Sequence, residues 1–205
     1  MNYSPSRLGK LKLCPKFDYK PVDPDDPNAA ANKGTLLHEA YATGNMAGLT
    51  QEEQDAINCA LLQTDGFKVN LPQPAETFSE IRLRYSPLDL VGTADKVLIG
   101  GDQAVVLDLK TGPSGLPDDA DDSEQLLSYI LGVYEKYPGV QSCNGMLLNP
   151  FTRETGELIM TTRDMVPALH ARIEETIKRR EDPFSEPTPG SHCSDCAHVT
   201  RCWAL

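Results

Sequence analysis

Apolar residues recur at helical spacing in the first third of the chain. A short helix is predicted over residues 5–13, and a second over roughly residues 33–46, where apolar positions fall three and four residues apart. Thr50 followed by Glu53 forms a capping box, in which each side chain bonds the backbone of the other residue. This box predicts a third helix, which ends near Gly66.

The spacing changes to the two-residue alternation of β-strands over residues 76–109. These residues are rich in β-branched side chains and are interrupted by turn sequences at residues 86–89 and 100–102. Short turns join antiparallel neighbours. We therefore predict three antiparallel strands in this stretch.

Helical and strand patterns alternate in the rest of the chain. A helix is predicted from a cap at Ser123, followed by a strand over residues 140–148, a strand that ends near residue 161, and a long helix that ends near Arg180. The order of elements predicts an α/β fold with a central mixed sheet flanked by helices.

The composition is that of one domain. A chain of 205 residues, of which 40% are hydrophobic, is long enough to bury one core. We divide a single domain over residues 1–205 into a basic N-terminal segment (1–31), a core (32–181) and a cysteine-containing tail (182–205). The sequence has no apolar run of membrane-spanning length and no signal-peptide pattern, so we expect a cytoplasmic protein.

The overall charge is acidic, with 19 Lys and Arg against 30 Asp and Glu and a net charge of -11. Such a balance ordinarily disfavours nucleic acid, because like charges repel. The basic residues are concentrated in residues 1–20 and 163–180. An anionic partner is therefore expected at these two basic patches, or with the help of a protein partner.

Three charged residues interrupt the second and third predicted strands. Asp95 ends the sequence GTAD, and Asp108 and Lys110 lie two residues apart in DLK. Side chains two apart on a strand share a face, and a hairpin brings Asp95 beside them. Carboxylates bind Mg²⁺ or Mn²⁺, which polarises a phosphate, while a lysine positions water or offsets developing charge. The three residues therefore predict a site for phosphodiester hydrolysis.

An ordinary structural role is the alternative for these charges. An isolated Asp-x-Lys pattern is commonly a solvated strand face with a cross-strand ion pair. The apolar residues Val105, Val106 and Leu107 precede Asp108, however, and indicate a central, buried strand. Unpaired charges are costly there and are kept mainly for function.

The motifs and their order resemble the RecB-type branch of the PD-(D/E)XK nucleases, including iron–sulfur members among CRISPR-adaptation and helicase-associated exonucleases. GTLLHEAY matches the family's early helix, with His38 in the place of a metal ligand. GTAD matches the second motif at Asp95, and DLK matches the third, with Leu109 supplying a backbone carbonyl. The helical Q-x-x-x-Y motif is matched by Gln125 and Tyr129, which share one helix face.

The resemblance implies a complete set of site residues. The implied catalytic residues are Asp95, Asp108, Lys110, Gln125 and Tyr129, and the implied metal ligands are His38, Asp95, Asp108 and the Leu109 carbonyl. Glu80 is retained only as a possible neighbour of the site.

Three of the six cysteines, Cys193, Cys196 and Cys202, lie within the last thirteen residues. Clustered cytosolic thiols are more often metal ligands than disulfides. Three thiolates are too few for a four-ligand site, so a fourth ligand is needed. In the resembling family it is an N-terminal cysteine, a place that Cys14 occupies. The resemblance thus implies a [4Fe-4S] cluster that joins the two ends of the chain.

Two other assignments concern the remaining cysteines and the histidines of the tail. A Zn²⁺ site that uses His192 or His198 is the alternative to the cluster. Cys59 and Cys143 lie in apolar helix and strand contexts, and are predicted to be core residues.

Together, the residues and the resemblance predict a metal-dependent DNA exonuclease in DNA recombination, repair or processing, with DNA ends or single strands as its partner and no membrane association. The alternative is a non-cleaving DNA-end-binding module of a DNA-processing complex. The net charge and the acidic residues 118–122 favour it, because both weaken DNA binding by the protein alone. A hydrolase for a smaller phosphoester would tolerate the acidity better, although no sequence feature demands it.

Overall fold

The computed structural model describes residues 3–20, 29–112, 116 and 124–204. The α-helices in this part are α1 (Pro5–Leu13), α2 (Ala29–Thr43), α3 (Gln51–Val69), α4 (Glu124–Lys136) and α5 (Val166–Glu181). The strands are β1 (Ala75–Tyr85), β2 (Leu90–Gly100), β3 (Gln103–Leu109), β4 (Ser142–Asn149), β5 (Glu154–Thr155) and β6 (Ile159–Thr162). Short 3₁₀ helices span Ser86–Leu88, Arg163–Met165, Ser191–Asp195 and Val199–Arg201. The predicted cap Ser123 and the acidic residues 118–122 lie outside the described residues.

The strands form one mixed sheet in the order β1-β2-β3-β4, with β5 and β6 both paired to β4. β1, β2 and β3 are antiparallel neighbours, as predicted. β3 and β4 run parallel, with Asp108 opposite Leu147. A parallel step requires a crossover, and α4 lies in that crossover. The predicted α/β fold with a central mixed sheet is confirmed.

Helices cover both faces of the sheet. On one face α1, α4 and α5 pack over a buried cluster that includes Val106, Ile130 and Ile173. On the other face α2 and α3 pack over a cluster that includes Leu107 and Leu109. Strand side chains alternate between faces, so β3 contributes to both cores. The charged residues near its end are therefore held by rigid packing on either side.

Local signals explain most helix boundaries. α1 spans the predicted residues, and the predicted capping box is present: Thr50 Oγ1 accepts the Glu53 N–H at 3.4 Å, and Glu53 Oε2 accepts the Thr50 N–H at 2.8 Å. α2 ends at Thr43 instead of near residue 46. The cause is Gly44, which adopts a left-handed conformation (φ 77°) typical of helix ends.

Two other boundaries differ from the prediction. α3 continues through Gly66 to Val69, because an interior glycine weakens a helix without ending it. The strand predicted to end near residue 161 is divided into β5 and β6, which pair with opposite ends of β4. No helix among the described residues is long and apolar enough to cross a membrane.

Residues 14–20 lie against residues 182–202, and we call these two segments the terminal clasp. The Ala197 N–H donates to the carbonyl of Asp18 at 2.8 Å, so backbone bonds join the segments directly. Cysteines from both segments line one cavity, as described below. The predicted joining of the N- and C-terminal segments at a cysteine cluster is confirmed.

Several cationic side chains of the two predicted basic patches form hydrogen bonds with other residues of the protein. Arg180 of α5 donates to both carboxylate oxygens of Asp18 at 3.1 Å. Lys16 Nζ donates to the carbonyl of Asp182 at 2.8 Å. These cations hold the clasp together, and are less available to an external anion than their sequence positions suggest.

Candidate active site

Asp108 and Lys110 lie at the carboxyl end of β3, beside α4. Their side chains share a face, as predicted, and Lys110 Nζ lies 2.7 Å from Asp108 Oδ2. The carboxylate is almost fully buried (3% exposed), whereas the lysine is part-exposed. Leu109 points the other way, into the α2 and α3 core. The ion pair thus lies at the boundary between the core and solvent.

Asp95 of β2 connects three elements. Its Oδ2 accepts the Leu109 backbone N–H at 2.6 Å, and its Oδ1 lies 2.8 Å from His38 Nδ1. The first contact fixes the end of β3, and the second fixes α2 over the sheet. Asp95 is therefore the residue that brings the predicted metal-ligand histidine to the strand end.

Glu80 completes a compact group with these two residues. One ligand atom from each of His38, Glu80 and Asp95 lies within 4.8 Å of the other two. Glu80 lies on β1 across from Asp95 and has a left-handed backbone (φ 48°), which is rare outside glycine. The predicted ligand Asp108 is outside this compact group.

Gln125 links the ion pair to α4. Its Oε1 accepts from Lys110 Nζ at 2.8 Å, and its Nε2 donates to Asp108 Oδ1 at 3.0 Å. The same Nε2 lies 3.2 Å from the Tyr129 hydroxyl, one helical turn later. The predicted contact of the helical amide and phenol with the lysine is thus made through Gln125.

Gly92, the glycine of GTAD, allows Tyr129 to approach the sheet. A Cβ atom at this position would lie 2.7 Å from Pro5 Cδ and 3.0 Å from Tyr129 Cε1. Contacts below about 3 Å displace their neighbours, so a side chain here would move both the phenol and α1. The glycine is required by packing around the site.

Lys96 is a buried cation that the sequence interpretation did not single out. Its side chain follows Asp95, is 4% exposed, donates to Ser79 Oγ at 2.9 Å and lies 4.6 Å from the centre of the Tyr41 ring. Burial lowers the pKa of Lys96, while the charges of Asp95 and nearby acids oppose the shift. A lysine directly after GTAD is the signal that could have drawn attention to it.

The pKa values of the site residues reflect burial, a close hydrogen bond and neighbouring negative charge. Burial raises the pKa of Asp108, which the Lys110 ammonium opposes. The hydrogen bond to Asp95 raises the pKa of His38, and burial followed by the charge of Asp95 raises the pKa of Glu80. Each group therefore holds its proton more tightly than usual. A divalent cation at the same place would reverse these shifts.

The donor set of the compact group suits a hard divalent cation. Carboxylate oxygens are the preferred ligands of Mg²⁺ and Mn²⁺, and imidazole is a common ligand of first-row transition metals. Ligand atoms about 2.1 Å from one ion lie up to about 4.2 Å apart, so small side-chain shifts let all three residues share an ion. His38, Glu80 and Asp95 thus fit the predicted metal.

A match to a known family shows to which superfamily the chain belongs. The sequence model described as PD-(D/E)XK nuclease superfamily matches residues 49–203, about three quarters of the chain. The chain belongs to the PD-(D/E)XK nuclease superfamily. The match includes β1 to β4 and α4 of the nuclease, whereas His38 precedes it. Nucleases of this superfamily use divalent metals.

The chain is similar to solved structures of low sequence identity, and the one with a TM-score above 0.5 supports the fold described above. A protein described as a candidate exonuclease from Eubacterium rectale is 13% identical with a TM-score of 0.53, over 98% of this chain and 88% of that chain. The alkaline exonuclease LHK-Exo from Laribacter hongkongensis is 10% identical with a TM-score of 0.40, over 88% of both chains. A phage-related exonuclease from Haemophilus somnus is 11% identical with a TM-score of 0.41, over 87% and 91%. A search of curated proteins finds no match.

The four predicted cysteine ligands of the nuclease line one cavity of about 330 Å³ in the terminal clasp. Cys14 comes from the end of α1, and Cys193, Cys196 and Cys202 come from the tail. Three of the sulfurs accept backbone N–H groups at 3.4 to 3.5 Å, namely those of Cys14, Cys193 and Cys196. N–H donors of this kind favour thiolates and tune metal–sulfur centres.

The two histidines of the tail also line this cavity, but each has a protein partner. His192 Nε2 lies 3.0 Å from the Thr188 carbonyl, and His198 Nε2 lies 3.3 Å from Asp18 Oδ2. Among the described residues, no three cysteine sulfurs or histidine nitrogens of this cavity lie within 4.8 Å of one another. The cysteine cavity is thus wider than the compact group near β3.

The two other cysteines differ from each other. Cys143 is fully buried, as predicted, and burial raises the pKa of its thiol. Cys59 is only partly buried, so the prediction of a core position was wrong for this residue. It lies on α3 between the buried residues Ile57 and Ala60, at the edge of the buried face of the helix. The apolar pattern of the sequence does not distinguish residues at this edge from residues in the core.

Proposed function

We propose that this nuclease is a DNA exonuclease that hydrolyses phosphodiester bonds with Mg²⁺ or Mn²⁺, in DNA recombination, repair or processing. The observation that carries the proposal is the compact group of His38, Glu80 and Asp95, directly beside the Asp108–Lys110 ion pair. The exonuclease assignment is supported by the order of motifs, which resembles that of RecB-type nucleases.

In this proposal, His38 and Asp95 hold the metal, together with Asp108 and the Leu109 carbonyl, and Glu80 is an additional ligand. When bound to these residues, a divalent cation would polarise the phosphate and lower the pKa of a water. Asp95 has a second task, because its bond to the Leu109 N–H keeps the strand end in register with the metal ligands.

Lys110 is proposed to act on the water or on the charge that develops on phosphate. Its ammonium is held between Asp108 and Gln125, which leaves the third N–H donor for an oxygen of the substrate. Tyr129 orients Gln125 from the same face of α4. In this proposal, the phosphate of the substrate binds between the Lys110 donor and the proposed metal ligands.

The decisive experiment compares Lys110→Ala and Asp108→Asn with wild type on end-labelled linear DNA and on closed circular DNA, with Mn²⁺, Mg²⁺ or chelator. Both variants should lose cleavage while keeping the wild-type circular dichroism spectrum, and Lys178→Ala on α5 is the control. Full activity in either site variant would overturn the mechanism. Cleavage of circles would replace exonuclease with endonuclease, and end binding without cleavage by wild type would favour the DNA-end-binding module.

We also propose that Cys14, Cys193, Cys196 and Cys202 bind a [4Fe-4S] cluster. Sulfurs on one Zn²⁺ at about 2.3 Å lie about 3.8 Å apart, whereas a cluster of several ions holds its ligands further apart. Among the described residues, no three ligand atoms of this cavity lie within 4.8 Å of one another, and three of the sulfurs accept N–H groups. Both observations support the cluster over Zn²⁺.

An anaerobic preparation tests the cluster directly. Iron and sulfide in equal amounts, with a brown colour, are expected, whereas zinc without iron would overturn the cluster in favour of the Zn²⁺ site. Reduced thiols of this kind are typical of the cytoplasm, where we place the protein. We further infer that residues 1–205 act as one nuclease domain, because the clasp joins both ends of the chain to the core.

A further inference from the structure

Two arginines project from β1 on the face of the sheet that carries α2. Ile81, Leu83 and Tyr85 are buried under α1, α4 and α5. Alternate residues of a strand point to opposite faces, so Arg82 and Arg84 point to the other face, where both are exposed.

The neighbouring strand presents one exposed and one half-buried residue beside them. Arg82 pairs with Thr93 of β2, and Arg84 pairs with Val91. Directly paired residues of an antiparallel sheet project to the same side. We call these four residues the arginine strip.

The arginine strip lies on a part of the sheet that helices leave open. The core beneath α2 and α3 includes Leu98 from the far end of the β1–β2 ribbon and Leu71, which lies between α3 and β1. Within the described chain, no residue from 81 to 94 belongs to that core. Val91 is accordingly half-buried and Thr93 is exposed, and both lie in the part of β2 that pairs with β1 but not with β3.

The strip leads directly to the proposed metal ligands. Glu80 precedes Arg82 by two residues on β1, and Asp95 follows Thr93 by two residues on β2. Two residues of a strand span about 7 Å. A chain of phosphates that lay along the strip would therefore reach the compact group at its end.

The arginine strip is positively charged, whereas the protein as a whole is negatively charged. The protein carries a net charge of -11, and cations such as Arg180 are used in the clasp. Arg82 forms no ion pair with any described residue. Arg84 lies 3.5 Å from Asp89, but both side chains are well exposed (61% and 39%), and such pairs are weak.

We propose that the arginine strip binds the backbone of the DNA strand whose phosphate is cleaved. The guanidinium group of an arginine can donate two parallel hydrogen bonds to the oxygens of one phosphate. The Thr93 hydroxyl offers a further hydrogen-bond donor, and the Val91 side chain offers an apolar contact for a sugar. The inference rests on the proposed nuclease activity, and it explains how an acidic protein holds an anionic polymer close to its site.

The test compares Arg82→Ala/Arg84→Ala with wild type and with Lys178→Ala, an exposed lysine on the opposite face. Cleavage of DNA is measured over a range of salt concentrations, and cleavage of bis(p-nitrophenyl) phosphate, which is too short to reach the strip, is measured in parallel. The double variant should raise KM for DNA about tenfold or more, with kcat and the small substrate little changed. Its slope of log affinity against log salt should fall by about 0.7 to 0.9 for each lost contact.

Arg82→Lys/Arg84→Lys separates charge from fork geometry. The double lysine variant should keep the salt slope of wild type, because lysine binds phosphate as a point charge. Its KM for DNA should lie between the KM of wild type and that of the double alanine variant. If wild type cleaves DNA but the double alanine variant matches Lys178→Ala in KM and salt slope, the strip has no role, and the proposed nuclease function still stands. If wild type cleaves no DNA at all, it is the proposed function that fails.

Discussion

The Lys12 ammonium lies 3.4 Å from Oε1 of Glu124, whose side chain is fully buried. Arg172 of α5 approaches the same oxygen at 3.0 Å. Lys12 lies two residues before Cys14, and Glu124 directly precedes Gln125. One buried carboxylate therefore joins the helix that ends at the clasp to the helix that holds the site glutamine.

Replacement of Glu124 by Gln should weaken both the fold and the site. The change removes the charge that two cations share, and we expect a loss of about 1–3 kcal/mol in the free energy of unfolding, because both cations can be rehydrated. Cleavage should fall as well, since α4 loses its anchor to α1. Urea unfolding and DNA cleavage check this, with Glu174→Gln, from an exposed pair with Lys178, as the control. Equal unfolding midpoints for the two variants would contradict it.

Gln125 should contribute more than Tyr129 to the rate of cleavage. Gln125→Ala removes the contacts to Lys110 and Asp108, and supporting residues of this kind typically contribute about 10–100-fold to activity. Tyr129→Phe removes only the hydroxyl beside Gln125, so we expect a smaller loss of about fivefold. Single-turnover cleavage rates measure both, and a larger loss in Tyr129→Phe would instead place the phenol on the substrate.

Metal binding should depend on pH through His38. The hydrogen bond to Asp95 raises the pKa of His38, so its proton competes with the metal up to a higher pH than for a free imidazole. Affinity for Mn²⁺ should therefore increase as pH rises from about 6 to about 8. In the metal-free protein the protonated pair stabilises the fold at low pH, and this contribution is lost as pH rises through the raised pKa.

Calorimetric titration with Mn²⁺ across this range provides the measurement. His38→Asn should bind more weakly and with a flatter pH profile, because the competing proton is gone. The same steep profile in wild type and His38→Asn would show that another group controls binding.

Cys14, a proposed cluster ligand, and Cys143, a core residue, should respond differently to replacement by alanine. Cys14→Ala should lose iron and visible absorption, whereas Cys143→Ala should keep both and lose about 1 kcal/mol of stability, because it leaves only a small cavity. Iron analysis and thermal unfolding of the two variants are the measurements. Retention of iron by Cys14→Ala would show that this cysteine is not a ligand.

The arrangement of Asp108, Lys110 and Leu109 was predictable because a strand permits only one alternation of faces. Asp95 was predictable because a short turn forces antiparallel pairing of β2 and β3. Both arguments use local geometry, which the sequence carries directly.

The position of Glu80 was not predictable in this way. It depends on the register of β1 against β2 and on a left-handed backbone that no glycine marks. The hydrogen-bond partners of the basic residues were equally unpredictable, since Lys16 and Arg180 bind partners more than 160 positions away in the sequence. Such long-range pairings are decided by tertiary packing and not by local pattern.

The terminal clasp has a consequence for the order in which the protein is made. Residues 14–20 leave the ribosome early, but their partners in residues 182–202 are synthesised last among the elements described. A nascent chain cut short by stalled translation therefore carries every proposed catalytic residue without the segment that secures α1 beneath α4. Such fragments should be less active and more susceptible to proteases than a chain that contains both segments.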